Sequence, residues 1–272
     1  MVKFEPENHI YTSVDPTDAI KWVSVTSMLK KFKAPFDRDK IANQSASNEK
    51  GKWYGKSSEE IKRIWQAEAD RACDLGNWYH DQRESDILEC ETLDRYGVTL
   101  PVITPMEDEN GVKVAPYQKL IDGIYPEHLC YLRSAGVCGQ SDLVEVVNGY
   151  VHITDYKTNK EIKKNSFVNW EGISKMMLPP LSHLEDCNYV HYNLQLSIYM
   201  YIILKHNPGL KPGNIVISHV QFEEEGKDEN DYPITKYDQD GNPIIKEITR
   251  YEMPYLKKEV MTMMKYFKPE KI

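Results

Sequence analysis

Val147-Asn148-Gly149-Tyr150 constrains this chain more than any other four residues. Asn-Gly between two apolar runs is the preferred loop of a tight hairpin, because both central positions take positive φ. The loop fixes register as well as direction. If Val147 pairs with Tyr150, then Val146 faces Val151, Val144 faces Ile153, and Asp142 faces Asp155. Directly opposite residues share a sheet face with Cβ atoms roughly 5 Å apart, and like charges so placed repel unless something compensates. A divalent cation compensates. Strand alternation puts Lys157 on the side of Asp155, and the Tyr156 carbonyl between them is free to turn toward a metal. Two carboxylates, a carbonyl and waters suit a hard cation such as Mg2+ or Mn2+. The competing reading is a solvated Asp/Lys cluster at a strand end. An apolar stripe of Val144, Val146, Val151 and Ile153 that finishes in Asp142, Asp155 and Lys157 favours the metal.

Around this hairpin the periodicity predicts strands at 129–133, 137–147 and 150–156, a helix over 188–204, strands at 215–222 and 243–248, and a closing helix over 253–267. Met261, Met263 and Met264 read as core filler of that helix. Upstream, His9 to Ser13 and Trp22 to Val25 read as a small sheet around a turn at Asp15-Pro16-Thr17-Asp18. Thr26 is a candidate cap for a short helix to Lys33, and another helix begins at Asp37. Ser57 and Glu60 have capping-box spacing at the head of a long helix that runs to Cys90.

Gly76, His80 and Glu84 recur at intervals of four on that helix and share one face. A lone helical histidine is more often a satisfied core or surface group, but its company here favours a site. His80-Asp81 also matches the paired His-Asp of metal phosphohydrolases, which needs a second His/Asp set that this chain lacks. Asn188, Tyr192, Gln195 and Tyr199 form a polar-aromatic stripe, either a helix–helix hydrogen-bond seam or a contact to a nucleic-acid backbone beside the metal.

The net charge of −8 argues against a histone-like coat of positive charge. It leaves a nucleic-acid enzyme open, because metal-binding acids offset local basic patches. Residues 28–66 carry ten Lys or Arg against five Asp or Glu, either a phosphate-attracting face or a solvated one. No apolar run approaches a membrane span, the N-terminus lacks a signal peptide's apolar region, and five cysteines form no C-x-x-C pair. These features read as an intracellular, cytoplasmic protein with reduced thiols.

Taken together, Gly76-x-x-x-His80-x-x-x-Glu84, Gly139-x-x-Asp142-Leu143-Val144, Asp155-Tyr156-Lys157-Thr158 and Gln195-x-x-x-Tyr199 resemble the PD-(D/E)XK nuclease superfamily. The resemblance is closest to the RecB-like exonuclease branch, with its CRISPR-associated adaptation nucleases, mitochondrial genome maintenance exonuclease and many phage enzymes. It covers residues 76–199. It implies an α/β fold with a restriction-endonuclease-like core, a central mixed sheet flanked by helices. A single nuclease domain over 1–272 is expected, with an N-terminal hairpin and helices (1–60), a motif-bearing core (61–205) and C-terminal strands and helix (206–272).

The resemblance also implies metal ligation by His80, Asp142, Asp155 and the Tyr156 carbonyl, with Mg2+ or Mn2+ as cofactor. Lys157 would orient the attacking water and stabilise transition-state charge, and Glu84 would support the catalytic site from its helix. Gln195 and Tyr199 would brace the site and contact DNA, with Tyr192 a further DNA contact. Glu127 resembles the acid that precedes the first strand in this branch, and reads equally well as a surface acid. Ser141 stands where the superfamily's name has proline. No cysteine follows Cys187, so no iron–sulfur cluster is expected. The expected activity is a metal-dependent deoxyribonuclease, favouring an exonuclease on free DNA ends in recombination, repair or replication. The rivals are a DNA-binding or assembly protein on a retired nuclease fold and a phosphohydrolase of small phosphate esters.

Overall fold

A computed structural model describes residues 1–6, 10–115 and 118–267. The chain begins with β1 (Val2–Glu5), β2 (Ile10–Ser13) and β3 (Val23–Ser24), then helices α1 (Val25–Lys30), α2 (Arg38–Ser47) and α3 (Ser58–Leu88). Short strands follow: β4 (Thr92–Arg95), β5 (Val98–Pro101), β6 (Met106–Glu107) and β7 (Lys113–Ala115). The long strands β8 (Gly123–Leu132), β9 (Val137–Val147) and β10 (Tyr150–Lys157) precede α4 (Asn188–His206). The chain then makes β11 (Lys211–Phe222), β12 (Glu224–Lys227), β13 (Pro233–Thr235), β14 (Ile245–Met253) and α5 (Lys257–Tyr266).

Asn148 and Gly149 turn with φ of 51° and 80°, and β9 pairs with β10 in the register the turn dictates, from Tyr150↔Val147 to Thr154↔Leu143. Val144, Val146, Val151 and Ile153 are each 0% exposed. Burying such a side chain stabilises by about 1.5–3 kcal/mol, so a one-residue slip, which would turn one strand's pair away from the other's to the opposite face, is strongly disfavoured.

The central sheet is mixed, in the order β14-β11-β10-β9, with β10 and β11 parallel and the other long pairs antiparallel. β8 covers one edge of β9 from Val137 to Val146. The other edge is shared: β10 takes its end from Leu143 onward, and β3 pairs in parallel with Val137 and Cys138. Among the described residues, Gly139, Gln140, Ser141 and Asp142 pair with no strand on that edge. The sheet therefore forks at Gly139–Asp142, and a cleft enters there.

Helices cover both faces. On one, α1, α4 and α5 pack over Val144, Val146, Val151, Ile153, Ile215 and Ile217. On the other, α3 sets Tyr79 against Tyr156, Val220 and Phe222, and Ile87 against Leu143 and Val147. Two helix starts follow their capping residues: Asp37 accepts from the Lys40 N–H at 2.9 Å and Ser57 from the Glu60 N–H at 3.2 Å.

Several expectations need correction. The opening hairpin pairs β2 with β1, whereas Val23–Ser24 joins the central sheet, and His9 lies outside the described residues. Ser24, not Thr26, caps α1, because its side chain is the one that accepts from the Ser27 N–H. The helix ends at Lys30 and α3 ends at Leu88. Met253 closes β14, held by pairing with Ile215, so the last helix starts only at Lys257. No helix among the described residues is long and apolar enough to cross a membrane.

Candidate metal centre and cleft

The fork opens onto a cavity of about 820 Å³ lined by α3, the β9 and β10 ends and α4. α3 contributes Ala69, Ala72, Cys73, Gly76, His80 and Glu84, a single helical stripe. Gly76 lets that stripe approach the chain just past β10 closely, since a Cβ there would lie 3.2 Å from Thr158 Oγ1.

At the base of the cleft His80, Glu127 and Asp142 each offer a ligand atom, all within 4.8 Å of one another. His80 Nδ1 is 3.5 Å from Asp142 Oδ2 and 3.9 Å from Glu127 Oε1. Two ligands that share a cation at about 2.1 Å each sit at most about 4.2 Å apart, and both distances from His80 fall within that reach. The donor set, one imidazole nitrogen and two carboxylates, fits Mn2+ or Mg2+. Glu127 reaches this position because β8 pairs Pro126 with Leu143 and His128 with Ser141, which sets Glu127 opposite Asp142. Its φ of 45° marks a local break in the strand, and Gln140 donates to its Oε2 at 2.6 Å. Glu127 thus lies inside a strand rather than ahead of it.

Asp155 is placed differently from the expectation. It is 1% exposed, its carboxylate forms an ion pair with Lys157, and it stands outside the three-residue cluster. The physical reason is divergence of the strands: the ladder ends at Thr154, and the Tyr156 N–H then donates to Asp142 Oδ2 at 2.7 Å instead of to a β9 carbonyl. The Tyr156 carbonyl lies 3.1 Å from His80 Nε2, the ring nitrogen turned away from the carboxylates. With Nε2 protonated it donates to this carbonyl, which aims Nδ1 at the acids, an arrangement that orients a metal-ligating histidine.

Burial alone would lower the His80 pKa, but the Asp142 charge, with Glu127 and Asp155 adding, outweighs it and lifts the imidazole to about 9. Burial raises the Asp142 carboxyl against the pull of His80 and Lys157. Burial and then the Asp142 charge push Asp155 up to about 6, with Lys157 pulling it back. Burial opposes the Lys157 charge, yet Asp155 and Asp142 prevail and raise it to about 12. The cluster gathers positive charge wherever it can.

Lys157 also donates to the Tyr156 carbonyl at 3.4 Å and sits 5.1 Å over the ring of Tyr192, whose hydroxyl donates to Asn159 at 3.3 Å. Glu84 lines the cleft, but its carboxylate accepts from Lys113 Nζ at 2.6 Å, tying α3 to β7. It therefore anchors the cleft wall. Gln195 donates to the Tyr199 hydroxyl at 3.4 Å. Tyr199 is 3% exposed, and a Cβ on Gly139 would lie 2.8 Å from its ring. It braces β9 from beneath, and with Tyr192 and Gln195 it lines the cleft wall.

Sequence reasoning missed Gln140, Lys113 and Asn159. Gln140 is two residues before Asp142 and so shares its face, a signal present in the strand alternation. Lys113 and Asn159 carried none. No protein-family model, no curated protein and no solved structure matches the chain.

Proposed function

We propose that this chain is a metal-dependent deoxyribonuclease of PD-(D/E)XK type, most similar in its motifs to the RecB-like branch, acting from free DNA ends. The observation that carries the reading is the convergence of His80, Glu127 and Asp142 within 4.8 Å at the fork of the sheet, with Lys157 beside them. His80, Glu127 and Asp142 would hold Mn2+ or Mg2+. When bound, such a cation polarises a phosphate ester and acidifies water.

The chain's own groups complete the site. Lys157, held protonated by the two aspartates, places a fixed positive charge where a phosphate's negative charge grows during displacement. Asp155 fixes the direction of that ammonium, and Tyr192 covers its other side. The Tyr156 carbonyl orients His80. Tyr192, Gln195 and Asn159 offer polar atoms along the wall for a phosphate backbone. The open, 820 Å³ cleft suits a polymer better than a small phosphate ester.

The test is incubation of end-labelled linear DNA and a closed circle of the same sequence with Mn2+, Mg2+ or EDTA. Linear DNA is expected to be shortened with either metal and spared in EDTA, with the circle resistant. An enzyme that leaves linear DNA intact with both metals, or that hydrolyses only small phosphate esters, overturns the reading.

A further inference from the structure

The chain between β10 and α4 carries a hairpin with an apolar tip in water: Trp170 is 92% exposed, Phe167 74% and Ile173 59%. The tip is held in place. Asn169 N–H donates to the Ile173 carbonyl at 3.0 Å, the Asn169 side chain accepts from the Glu171 and Ile173 N–H groups, and Lys175 N–H donates to the Phe167 carbonyl at 2.8 Å. The two rings leave on the order of 300 Å² of apolar surface in water, as much as the largest patch on many monomers, and patches of that size mark interaction sites. The base of the hairpin is fixed to the start of α4, where Asp186 pairs with Lys175 at 2.8 Å and with His191 at 2.7 Å. The other end of α4 borders a cavity of about 300 Å³ lined by Ile103, Met106, Leu120, Tyr125, His128 and Leu129. There Leu120 N–H donates to Asn207 Oδ1 at 2.9 Å, and Lys119, exposed on the rim, donates to the His206 carbonyl. The His128 imidazole makes no hydrogen bond with any described residue, and none pairs in charge with Glu171 at the tip or Lys119 at the rim.

We propose that the tip and the cavity meet between two copies of this chain: Trp170 of each copy seats beside His128 in the cavity of the other, forming a two-fold dimer. The chemistry matches at each contact. An indole N–H only donates, and a neutral imidazole without a partner offers an acceptor nitrogen. Glu171, next to Trp170, meets the rim where Lys119 stands. A cavity at the small end of ligand-site volumes takes one aromatic group rather than a polymer. Placement agrees. α4 has 19 residues and is about 27 Å long, which keeps the tip of one copy away from its own cavity. Two copies side by side, with their α4 helices antiparallel, bring tip to cavity twice, the reciprocity that a two-fold interface requires. Charge argues against other occupants: residues 160–186 hold four Lys against four Asp or Glu, so no cation surplus draws a nucleic acid or an anionic lipid to the hairpin. Glu127 and Lys113 line both this cavity and the cleft, so the inserted ring stands behind the wall of its partner's cleft. The dimer does not depend on the nuclease reading.

The experiment is sedimentation velocity of the full chain across the micromolar range, without metal or DNA. Wild type is expected to reach twice the chain mass at the upper end and to dissociate on dilution. Trp170→Ala, at an exposed tip, should raise the dissociation constant at least about thirtyfold, the loss expected of an anchor at the centre of an interface. Glu171→Lys and Lys119→Glu should each weaken the dimer, and the two together should restore it, because the pair then meets with its charges exchanged. Thermal melting of each variant is compared with wild type to show that the fold persists. A wild-type chain that stays monomeric throughout overturns the proposal, as does a dimer that Trp170→Ala leaves intact. A dimer that Trp170→Ala disrupts but the charge exchange does not restore rejects the cavity as the seat of the ring, and overturns it too. Cleavage is not part of the readout, so failure here leaves the nuclease reading standing, and an inactive chain that dimerises as expected keeps the interface.

Discussion

The Asp142 carboxylate accepts the backbone N–H of Tyr156 at 2.7 Å, which makes one side chain both a candidate metal ligand and the clasp that holds β10 where it leaves β9. The two roles separate by substitution. Asp142→Asn keeps an acceptor for that N–H and removes the charge, whereas Asp142→Ala orphans a part-buried donor. Cleavage should disappear in both. Stability should part them, with Asp142→Ala less stable than Asp142→Asn by about 1–3 kcal/mol in urea unfolding. Equal stabilities would remove the clasp.

Glu127, rather than Asp155, shares the cluster with His80 and Asp142. Glu127→Gln should therefore weaken Mn2+ binding at least about tenfold by calorimetry, while Asp155→Asn should mainly lower turnover by releasing Lys157. The reverse pattern would restore Asp155 as the ligand.

The buried ion pair between Asp155 and Lys157 carries its own prediction. Lys157→Met leaves a carboxylate that is 1% exposed without its partner, a change that costs about 3–5 kcal/mol. Adding Asp155→Asn should recover most of that stability but none of the cleavage. Chemical denaturation of the single and double variants decides it, and recovery of activity in the double variant would refute a catalytic Lys157.

His80 titrates near 9 without metal, above the ordinary imidazole value of 6.5. A pKa raised on folding means that its protonation stabilises the fold fully below pH 6.5, and that this contribution fades as pH rises through about 9. Metal must displace the same proton, so Mn2+ affinity should climb from pH 6 to pH 9 with release of up to one proton. An NMR titration placing the metal-free imidazole at or below 6.5 would contradict the cluster's electrostatics.

Gly139→Ala puts a methyl 2.8 Å from the Tyr199 ring, a contact that side chains do not make. The variant should lose about 1–3 kcal/mol. Tyr199→Leu in the same chain should relieve it, and Tyr199→Phe should not, because ring carbons as well as the hydroxyl stand in the way.

Legibility in the sequence followed the range of the interaction. Asn148-Gly149 set its own φ angles and so the register of eleven- and eight-residue strands around it, and Ser57 and Asp37 placed two helix starts. The buried stripe of Val144, Val146, Val151 and Ile153 was readable because alternation on a strand is local. The cap of α1 was misplaced by two residues within one local turn, whereas the partner of β2 and the start of α5 depended on strands elsewhere in the chain, as when Ile215 holds Met253 in β14.

The sequence by itself determined the hairpin, its register and the helix face that carries Gly76, His80 and Glu84, since spacing along one backbone fixes which side chains share a side. Only the tertiary structure decided which acids meet. The fork of the sheet at Gly139–Asp142 let β10 swing away and bury Asp155 with Lys157, while the pairing of β8 with β9 brought Glu127 to Asp142. The same holds for Lys113 on Glu84. Distances between segments far apart in the chain depend on how whole elements pack and twist, and no local pattern of residue types encodes them.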